Sequence, residues 1–387
     1  MKNIPYGRQL IDKDDIRAAV EVLKSDWITQ GPKIKEFEDA LTRYCGAKYA
    51  VAVSSGTAAL HIACLAAGLK EQGEAITTPI TFLATANSII YSGAKPVFAD
   101  INYATVNIDP KEIKKKITKK TKAILPVHFA GLPCDMSEIH KIAKDNNLTI
   151  IEDGCHAFGA EYRSKGKWVK IGSCRYSDMT VFSFHPVKHI TTGEGGAITT
   201  NNRKIYEKLL ALRSHGTYKT QEMIEGKGLW YYEMRDLGFN YRITDIQCAI
   251  GLSQIRKIDD LIQKRLRIAE IYDKEFGSID GVEIPRVNKD KKHTYHLYLL
   301  KIDFDKLKTS RKKFVSLLKK KGIFTQVHYI PIYKQPYYKK RYKVNSKNFK
   351  NSEKYYKKAL SIPIYSKMTD SEVKRVVSNI KELLNGN

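Results

Sequence analysis

Thr180-Val-Phe-Ser-Phe-His-Pro-Val-Lys-His-Ile-Thr-Thr-Gly-Glu-Gly-Gly-Ala-Ile-Thr199 is the stretch around which the chain is organised. Its apolar, β-rich start, Thr180 to Phe184, runs into Pro186, and a glycine cluster then leads into a second β-rich run from Ala197 to Thr200. Lys188 therefore falls at the turn between two expected strands. A lysine among apolar neighbours is partly desolvated, which disfavours the ammonium and frees the amine as a nucleophile toward a carbonyl. Ser183 can bring a hydroxyl to the same place.

Two other segments carry parts that suit one ligand. In Thr149-Ile-Ile-Glu-Asp-Gly-Cys-His-Ala-Phe-Gly-Ala160 a β-branched run ends in an acidic pair. Ligands of open α/β sheets bind outside the carboxyl ends of strands, so Asp153 falls where a fixed negative charge is useful. In Val53-Ser-Ser-Gly-Thr-Ala-Ala-Leu60 a strand runs into a helix start rich in small residues, which offers backbone N–H groups and hydroxyls to a phosphate. A lysine that condenses with an aldehyde, an aspartate against a ring nitrogen and a phosphate cup together describe pyridoxal 5'-phosphate. Each part also has a plain structural reading: Lys188 as a surface turn, Asp153 as a helix cap, Ser-Gly-Thr as an ordinary helix start. Their occurrence together, in the order one cofactor needs, favours the ligand.

With these segments the chain resembles the sugar aminotransferases of the DegT/StrS type, within the aspartate-aminotransferase fold of pyridoxal-phosphate enzymes. The resemblance runs from Trp27-Ile-Thr-Gln-Gly-Pro32 to Val327-His-Tyr-Ile-Pro331. It is strongest to the branch that makes the 4-amino sugar nucleotide precursor of pseudaminic acid, through Tyr6, Asp26-Trp-Ile-Thr29, Ser183-Phe-His-Pro-Val-Lys188, Arg213-Ser-His-Gly216 and Gln326-Val-His-Tyr329.

What the resemblance implies is specific. The fold is α/β of PLP-dependent transferase type I: a mostly parallel central sheet with helices on both faces, and a smaller C-terminal α/β domain. The expected division is residues 1–276 and 277–387. The substrates are L-glutamate and a UDP-linked 4-keto sugar. Phe82 stacks on the pyridine, and His156 sits near its phenolic oxygen. Ser183, Gly56, Thr57 and Ala58 hold the phosphate, and Asn240 reaches the phosphate of a neighbouring subunit, which implies a homodimer with shared sites. Sugar and nucleotide contacts are expected from Tyr6, Asp26, Trp27, Ile28, Thr29 and Gly56, and from Val327, His328 and Tyr329. Some members of the family carry histidine at the lysine position and dehydrate the sugar; His189 raises that question, but the spacing from Ser183 puts Lys188 in register. Other readings are amination of the D-configured 4-keto sugar or at carbon 3, and a non-catalytic regulator that binds sugar nucleotide or nucleic acid.

At 387 residues, 28% charged and 42% apolar, the chain suits a soluble protein with a large core. No apolar run reaches about 18 residues, and no secretory signal follows Met1, so a cytoplasmic protein without membrane contact is expected. The six cysteines lack paired metal-ligand spacing and read as free thiols, with no metal. The net charge of +26 collects in lysine runs, chiefly Lys111 to Lys122 and Lys334 to Lys358. These read as solvated faces rather than a nucleic-acid surface, and no helix-turn-helix signature appears.

Along the chain, residues 12–25 carry an apolar stripe at Ile16, Ala19, Val20 and Leu23 after an acidic start, which predicts a helix. A second helix is expected from Ile34 to Tyr44, with a Gly-Pro loop between the two. Strands are expected at 50–54, 74–78, 96–100, 123–127 and 148–152, with helices between them, the pattern of a parallel sheet covered on both faces. Residues 203–214 read as a helix, 217–237 as a loop folding over the site, and 245–276 as one long helix capped by Thr244 or Asp245. Beyond residue 277, strands are expected at 297–302 and 323–327, and helices at 310–321, 352–359 and 370–384.

Overall fold

Residues 3–385 are described by a computed structural model. The β-rich runs of the first half assemble into one seven-stranded sheet in the order Tyr49–Val53, Gly196–Thr200, Met179–Ser183, Thr149–Asp153, Thr121–Leu125, Glu74–Thr77, Lys95–Phe98. Every strand pair from Lys95–Phe98 to Met179–Ser183 is parallel, and only Gly196–Thr200 runs against its neighbours. These strands are buried along nearly their whole length, which explains why they read as continuous apolar runs rather than alternating ones.

Because Gly196–Thr200 is antiparallel, its first residue lies at the same edge as the last residues of its neighbours: Gly196 is opposite both Ser183 and Val53. The Ser55–Gly56 turn then lies flat against this edge. A Cβ on Gly196 would come within 2.5 Å of the Ser55 carbonyl oxygen, and a Cβ on Gly56 within 2.7 Å of the Ser183 Cβ. Both positions need glycine for close approach. Gly196→Ala is therefore expected to push the turn off the sheet, at a cost of about 1–3 kcal/mol of stability. Binding of pyridoxal phosphate to the apoprotein, followed by fluorescence quenching, should weaken by about tenfold, the equivalent of about 1.4 kcal/mol.

The first helix forms as expected, with its apolar stripe turned outward. Lys13–Leu23 has a capping box between Asp12 and Asp15, and Ile16 and Leu23 are 58% and 59% exposed. The inward residues are Asp15 and Val22. Asp15 accepts hydrogen bonds from Gln254 (2.6 Å) and Lys257 (2.8 Å), and Lys257 also reaches Asp12 at 2.6 Å. A polar anchor fixes the rotation of this helix, and the apolar stripe faces out.

The same lysine marks a correction. The long helical pattern divides into Asp245–Ile255 and Ile258–Phe276, with Lys257 outside helical geometry between them. Thr244 caps the first with Gln247, while Asp245 accepts from the backbone N–H of Gly31 (2.7 Å) and Lys33 (2.9 Å) at the start of helix Pro32–Cys45. Residues 217–237 are not a plain loop: they hold helix Gln221–Lys227 and a short antiparallel ladder of Thr217–Tyr218 with Glu233–Met234.

In the last third, Val282–Glu283, Tyr298–Ile302 and Ala359–Ile362 form an antiparallel sheet covered by helices Arg311–Lys320, Lys350–Lys358 and Asp370–Leu384. The strand expected at 323–327 is absent. Single bridges, Ile323 to Ile4 and Gln326 to Ser361, hold that segment instead. The Ile4 bridge draws the start of the chain alongside it, with the Ile4 N–H donating to the Gly322 carbonyl at 2.8 Å. Among the described residues, no helix is long and apolar enough to cross a membrane, and no Cys is in a disulfide.

Candidate active site

The carboxyl edge of the sheet opens into a cavity of about 380 Å³. The segments after Val53, Thr77, Leu125, Asp153 and Ser183 all reach it, as expected for a parallel sheet. Lys188 projects from the turn after Ser183, where its N–H donates to the His185 carbonyl at 2.9 Å. Its amine makes no hydrogen bond or ion pair with any described residue. Burial lowers its pKa from the ordinary lysine value, with Cys155 and Asp153 opposing that shift. The result is an amine that loses its proton more easily than a surface lysine does.

Asp153 lies on the cavity wall, 4% exposed. One carboxylate oxygen accepts from the Thr85 hydroxyl at 2.7 Å and the other from the Cys155 N–H at 3.1 Å. Thr85 Oγ1 is also 2.8 Å from Thr81 Oγ1, so the hydroxyls form a short chain that orients the carboxylate. Its neighbour Glu152 points to the opposite face of the strand, as alternation requires. There Glu152 is held by His128 at 2.7 Å, Thr180 at 3.1 Å and Ser177. The Cys134 N–H donates to His128 Nδ1 at 3.0 Å, so His128 donates to Glu152 through Nε2. The acidic pair seen in the sequence thus splits into one site carboxylate and one structural carboxylate.

Helix Gly56–Ala66 starts at the same edge. The Ser55 side chain caps the Ala58 N–H at 3.1 Å, which leaves the N–H groups of Gly56 and Thr57 for an anion, with the Ser183 hydroxyl beside them. Phe82, at the start of helix Leu83–Tyr91, is 56% exposed over the cavity, and its ring centroid is 6.1 Å from that of Tyr329. His156 shares its Nε2 with the Tyr329 hydroxyl at 3.2 Å, while its Nδ1 is enclosed and unpartnered.

The sequence matches the DegT/DnrJ/EryC1/StrS aminotransferase family over residues 9–381. The chain belongs to this family. An uncharacterized protein of Methanocaldococcus jannaschii is 45% identical over 99% of this chain and 98% of its own length. The spore coat polysaccharide biosynthesis protein SpsC of Bacillus subtilis is 40% identical over 99% and 97%. The UDP-4-amino-4,6-dideoxy-N-acetyl-β-L-altrosamine transaminase of Campylobacter jejuni is 39% identical over 98% and 97%. Among solved structures, Helicobacter pylori PseC, an aminotransferase of pseudaminic acid biosynthesis, superposes with a TM-score of 0.91 over 100% of both chains at 34% identity. Spr1654 of Streptococcus pneumoniae in its PLP form superposes with a TM-score of 0.90 over 99% of both chains at 27% identity.

The aminotransferase uses pyridoxal phosphate, and the residues present fit it. A phosphate has the free N–H groups of Gly56 and Thr57 and the Ser183 hydroxyl. The ring has an oriented carboxylate in Asp153, an exposed aromatic face in Phe82 and the unpartnered nitrogen of His156. Tyr6, His328 and Tyr329 also line the cavity, and the Tyr6 and His328 rings lie 5.4 Å apart. His189 does not: its Nε2 is 3.2 Å from the Thr294 carbonyl, so Lys188 alone of the two faces the cavity.

Other expected residues lie outside this cavity. Ala58 is buried, its N–H taken by Ser55, and Val327 packs against an apolar cluster behind the wall. Asp26 and Trp27 line a separate cleft between the first two helices and helix Asp245–Ile255. Ile28 and Thr29 are exposed beside it, bridged to the segment before that helix. Asn240 is exposed, paired with Ser214. The segment 217–237 does not fold over this cavity, and it exposes Leu229 and Trp230.

Sequence reasoning missed Thr85, His185, Glu194 and His296, all on the cavity wall. Thr85 lies in the first turn of helix Leu83–Tyr91, and Thr81 just before that helix's cap at Phe82, where the two hydroxyls meet. His296 closes the run His293-Thr-Tyr-His296 just before a strand, where cavity residues gather.

Buried imidazoles on the cavity wall and behind it carry a pH dependence. Burial lowers the pKa of His293 to about 3 and of His328 to about 4, and holds His156, His189 and His296 well below the usual histidine value. These rings are neutral in the fold, whereas below about pH 6.5 the unfolded chain protonates them. Their contribution to stability is complete above that pH and is lost as pH falls toward the folded-state values, by about 1.4 kcal/mol per pH unit for each ring. The urea midpoint of the apoprotein should therefore fall steeply between pH 6.5 and 4.5, and a flat midpoint would contradict this assignment.

Proposed function

We propose that this aminotransferase moves the amino group of L-glutamate to carbon 4 of UDP-2-acetamido-2,6-dideoxy-β-L-arabino-hexos-4-ulose. The product is UDP-4-amino-4,6-dideoxy-N-acetyl-β-L-altrosamine, a step of pseudaminic acid biosynthesis. The observation that carries the reading of amino transfer is the placement of Lys188 and Asp153 in one cavity beside an anion cup. The choice of sugar is supported by likeness along nearly the whole chain to the Campylobacter jejuni transaminase and to PseC.

When bound, pyridoxal phosphate supplies an aldehyde that takes up the donor amine and a ring that accepts electrons from the adjoining carbon. Gly56, Thr57 and Ser183 would hold the phosphate. Asp153, fixed by Thr85 and the Cys155 N–H, keeps a negative charge against the ring nitrogen and holds its proton. Phe82 covers one face and excludes water. Lys188 takes the proton from the donor α-carbon in the first half-reaction and returns one to carbon 4 of the sugar in the second. Its lowered pKa suits both duties, because an amine that gives up its proton more readily than a surface lysine can accept and release one within a turnover. Ping-pong kinetics follow from two half-reactions at one lysine.

The working unit in this reading is a cytoplasmic homodimer. Asn240, Asp26, Trp27, Ile28 and Thr29 lie outside the cavity of their own chain and exposed on its surface, as residues that serve a neighbour's site would be. Residues 1–276 form the cofactor-binding part in this reading, and 277–387 the smaller part that supplies His296, His328 and Tyr329.

The test is direct. Purified protein is incubated with glutamate, pyridoxal phosphate and each of the two epimeric UDP-4-keto-6-deoxy-N-acetyl sugars, and the aminated product is followed by mass spectrometry. Amination of the L-arabino sugar is expected. Amination of the D-configured epimer alone would overturn the choice of sugar while leaving amino transfer intact.

A further inference from the structure

An amino-acid donor brings a carboxylate close to the carbon that reacts. Among the described residues, no arginine lines the cavity, and the carboxylates that do, Asp153 and Glu194, repel an anion. Lys188 is engaged in the reaction itself. Within this chain, hydroxyls and imidazoles therefore remain to hold the donor.

His296 is distinctive among the imidazoles. His156 gives one nitrogen to Tyr329 and His328 gives one to Ser361, at 3.2 Å and 2.8 Å. His296 is 5% exposed and lines the cavity, yet neither of its nitrogens bonds to a described residue, and its Nδ1 is enclosed without a partner. A buried ring left this way is costly unless a ligand or water completes it. Its place is fixed from both sides: its centroid is 4.3 Å from that of His156 and 5.6 Å from that of His189. Behind it, the buried Arg265 guanidinium donates to the carbonyls of Tyr295 (3.2 Å), His296 (3.3 Å) and Ile364 (2.9 Å), with no carboxylate partner among the described residues. With only carbonyl partners its positive charge stays unneutralised, and its field favours an anion on the cavity side of His296.

We propose that His296 is part of the subsite for a carboxylate of the amino donor, donating an imidazole N–H to it in the positive field of Arg265. This inference rests on the reading of the chain as a transaminase fed by an amino acid. The ring donates as a neutral imidazole, and burial together with the nearby cations keeps it in that form. A hydrogen bond to a charged group in such a setting is worth about ten- to a hundredfold in affinity.

The probe is glutarate, which carries the donor's carboxylates without its amine. Titrated calorimetrically into cofactor-loaded protein, glutarate should bind His296→Phe at least about tenfold more weakly than the unaltered protein. Affinity within twofold would overturn the assignment. A crystal of unaltered protein soaked in glutarate supplies a check that needs no variant. A carboxylate oxygen within hydrogen-bond distance of His296 is expected, and carboxylates placed elsewhere would overturn the inference. In parallel, glutamate is added to unaltered, cofactor-loaded protein without sugar, and the cofactor absorbance is followed. No response there would sink the choice of glutamate as donor. A normal response with unchanged glutarate binding in the variant would sink only the role of His296.

Discussion

Replacing Lys188 with alanine is expected to abolish amino transfer together with the absorbance band that pyridoxal phosphate gains when joined to the protein. Among the described residues, Lys188 is the one amine on the cavity wall. In the proposed mechanism the variant loses both the nucleophile that joins the cofactor and the base that moves protons at the donor and sugar carbons. General base catalysis alone contributes about 10²–10⁴-fold, so turnover should fall by at least about 10⁴-fold. Folding should be little affected, because the amine has no partner in the fold. Circular dichroism and the thermal midpoint would check that. A variant that still transaminates at the ordinary rate would remove Lys188 from the mechanism.

Asp153→Asn should follow closely in effect. Asparagine keeps the size of the side chain and can still accept from Thr85, but it carries no charge to hold a proton on the ring nitrogen. Loss of one preorganised electrostatic group from a buried site costs on the order of 10²–10³-fold in kcat. The asparagine amide also turns a donor toward the ring or toward Thr85, which adds a mismatch in a site 4% exposed. Single-turnover rates with glutamate alone would locate the loss in the first half-reaction. Near-normal rates would mean that the charge of Asp153 is not what the ring requires.

Much of this was legible in the sequence, for identifiable reasons. The strands of the central sheet were visible as apolar runs because both of their faces are buried, and Lys188, Asp153, Ser183 and Gly56 were visible because each follows such a run. The orientation of the first helix was not. Its apolar stripe marks a helix, but the pairing of Asp15 with Gln254 and Lys257, more than two hundred residues away in the chain, decided its rotation. The break at Lys257 was hidden for the same reason, since the pattern stays helical through it. Glu152 and Asp153 looked alike as letters, and only the alternation of a real strand sends one to the cavity and the other to His128. His296 escaped notice because its importance lies in what it does not touch, which no pattern of residue types can express.

The reversed strand Gly196–Thr200 has a mechanical effect on the site. A parallel return would carry the chain over the far edge of the sheet and back through a helix. Here residues 184–195 turn back at the cavity edge, so the Lys188 amine, the base of the proposed mechanism, rides on a short bracket whose two feet, Ser183 and Gly196, are clamped to each other. Insertions in the helical crossovers elsewhere can be absorbed without disturbing that bracket. One added residue within it would shift the amine by a residue's length, up to about 3.5 Å, enough to take it out of reach of the carbon it serves.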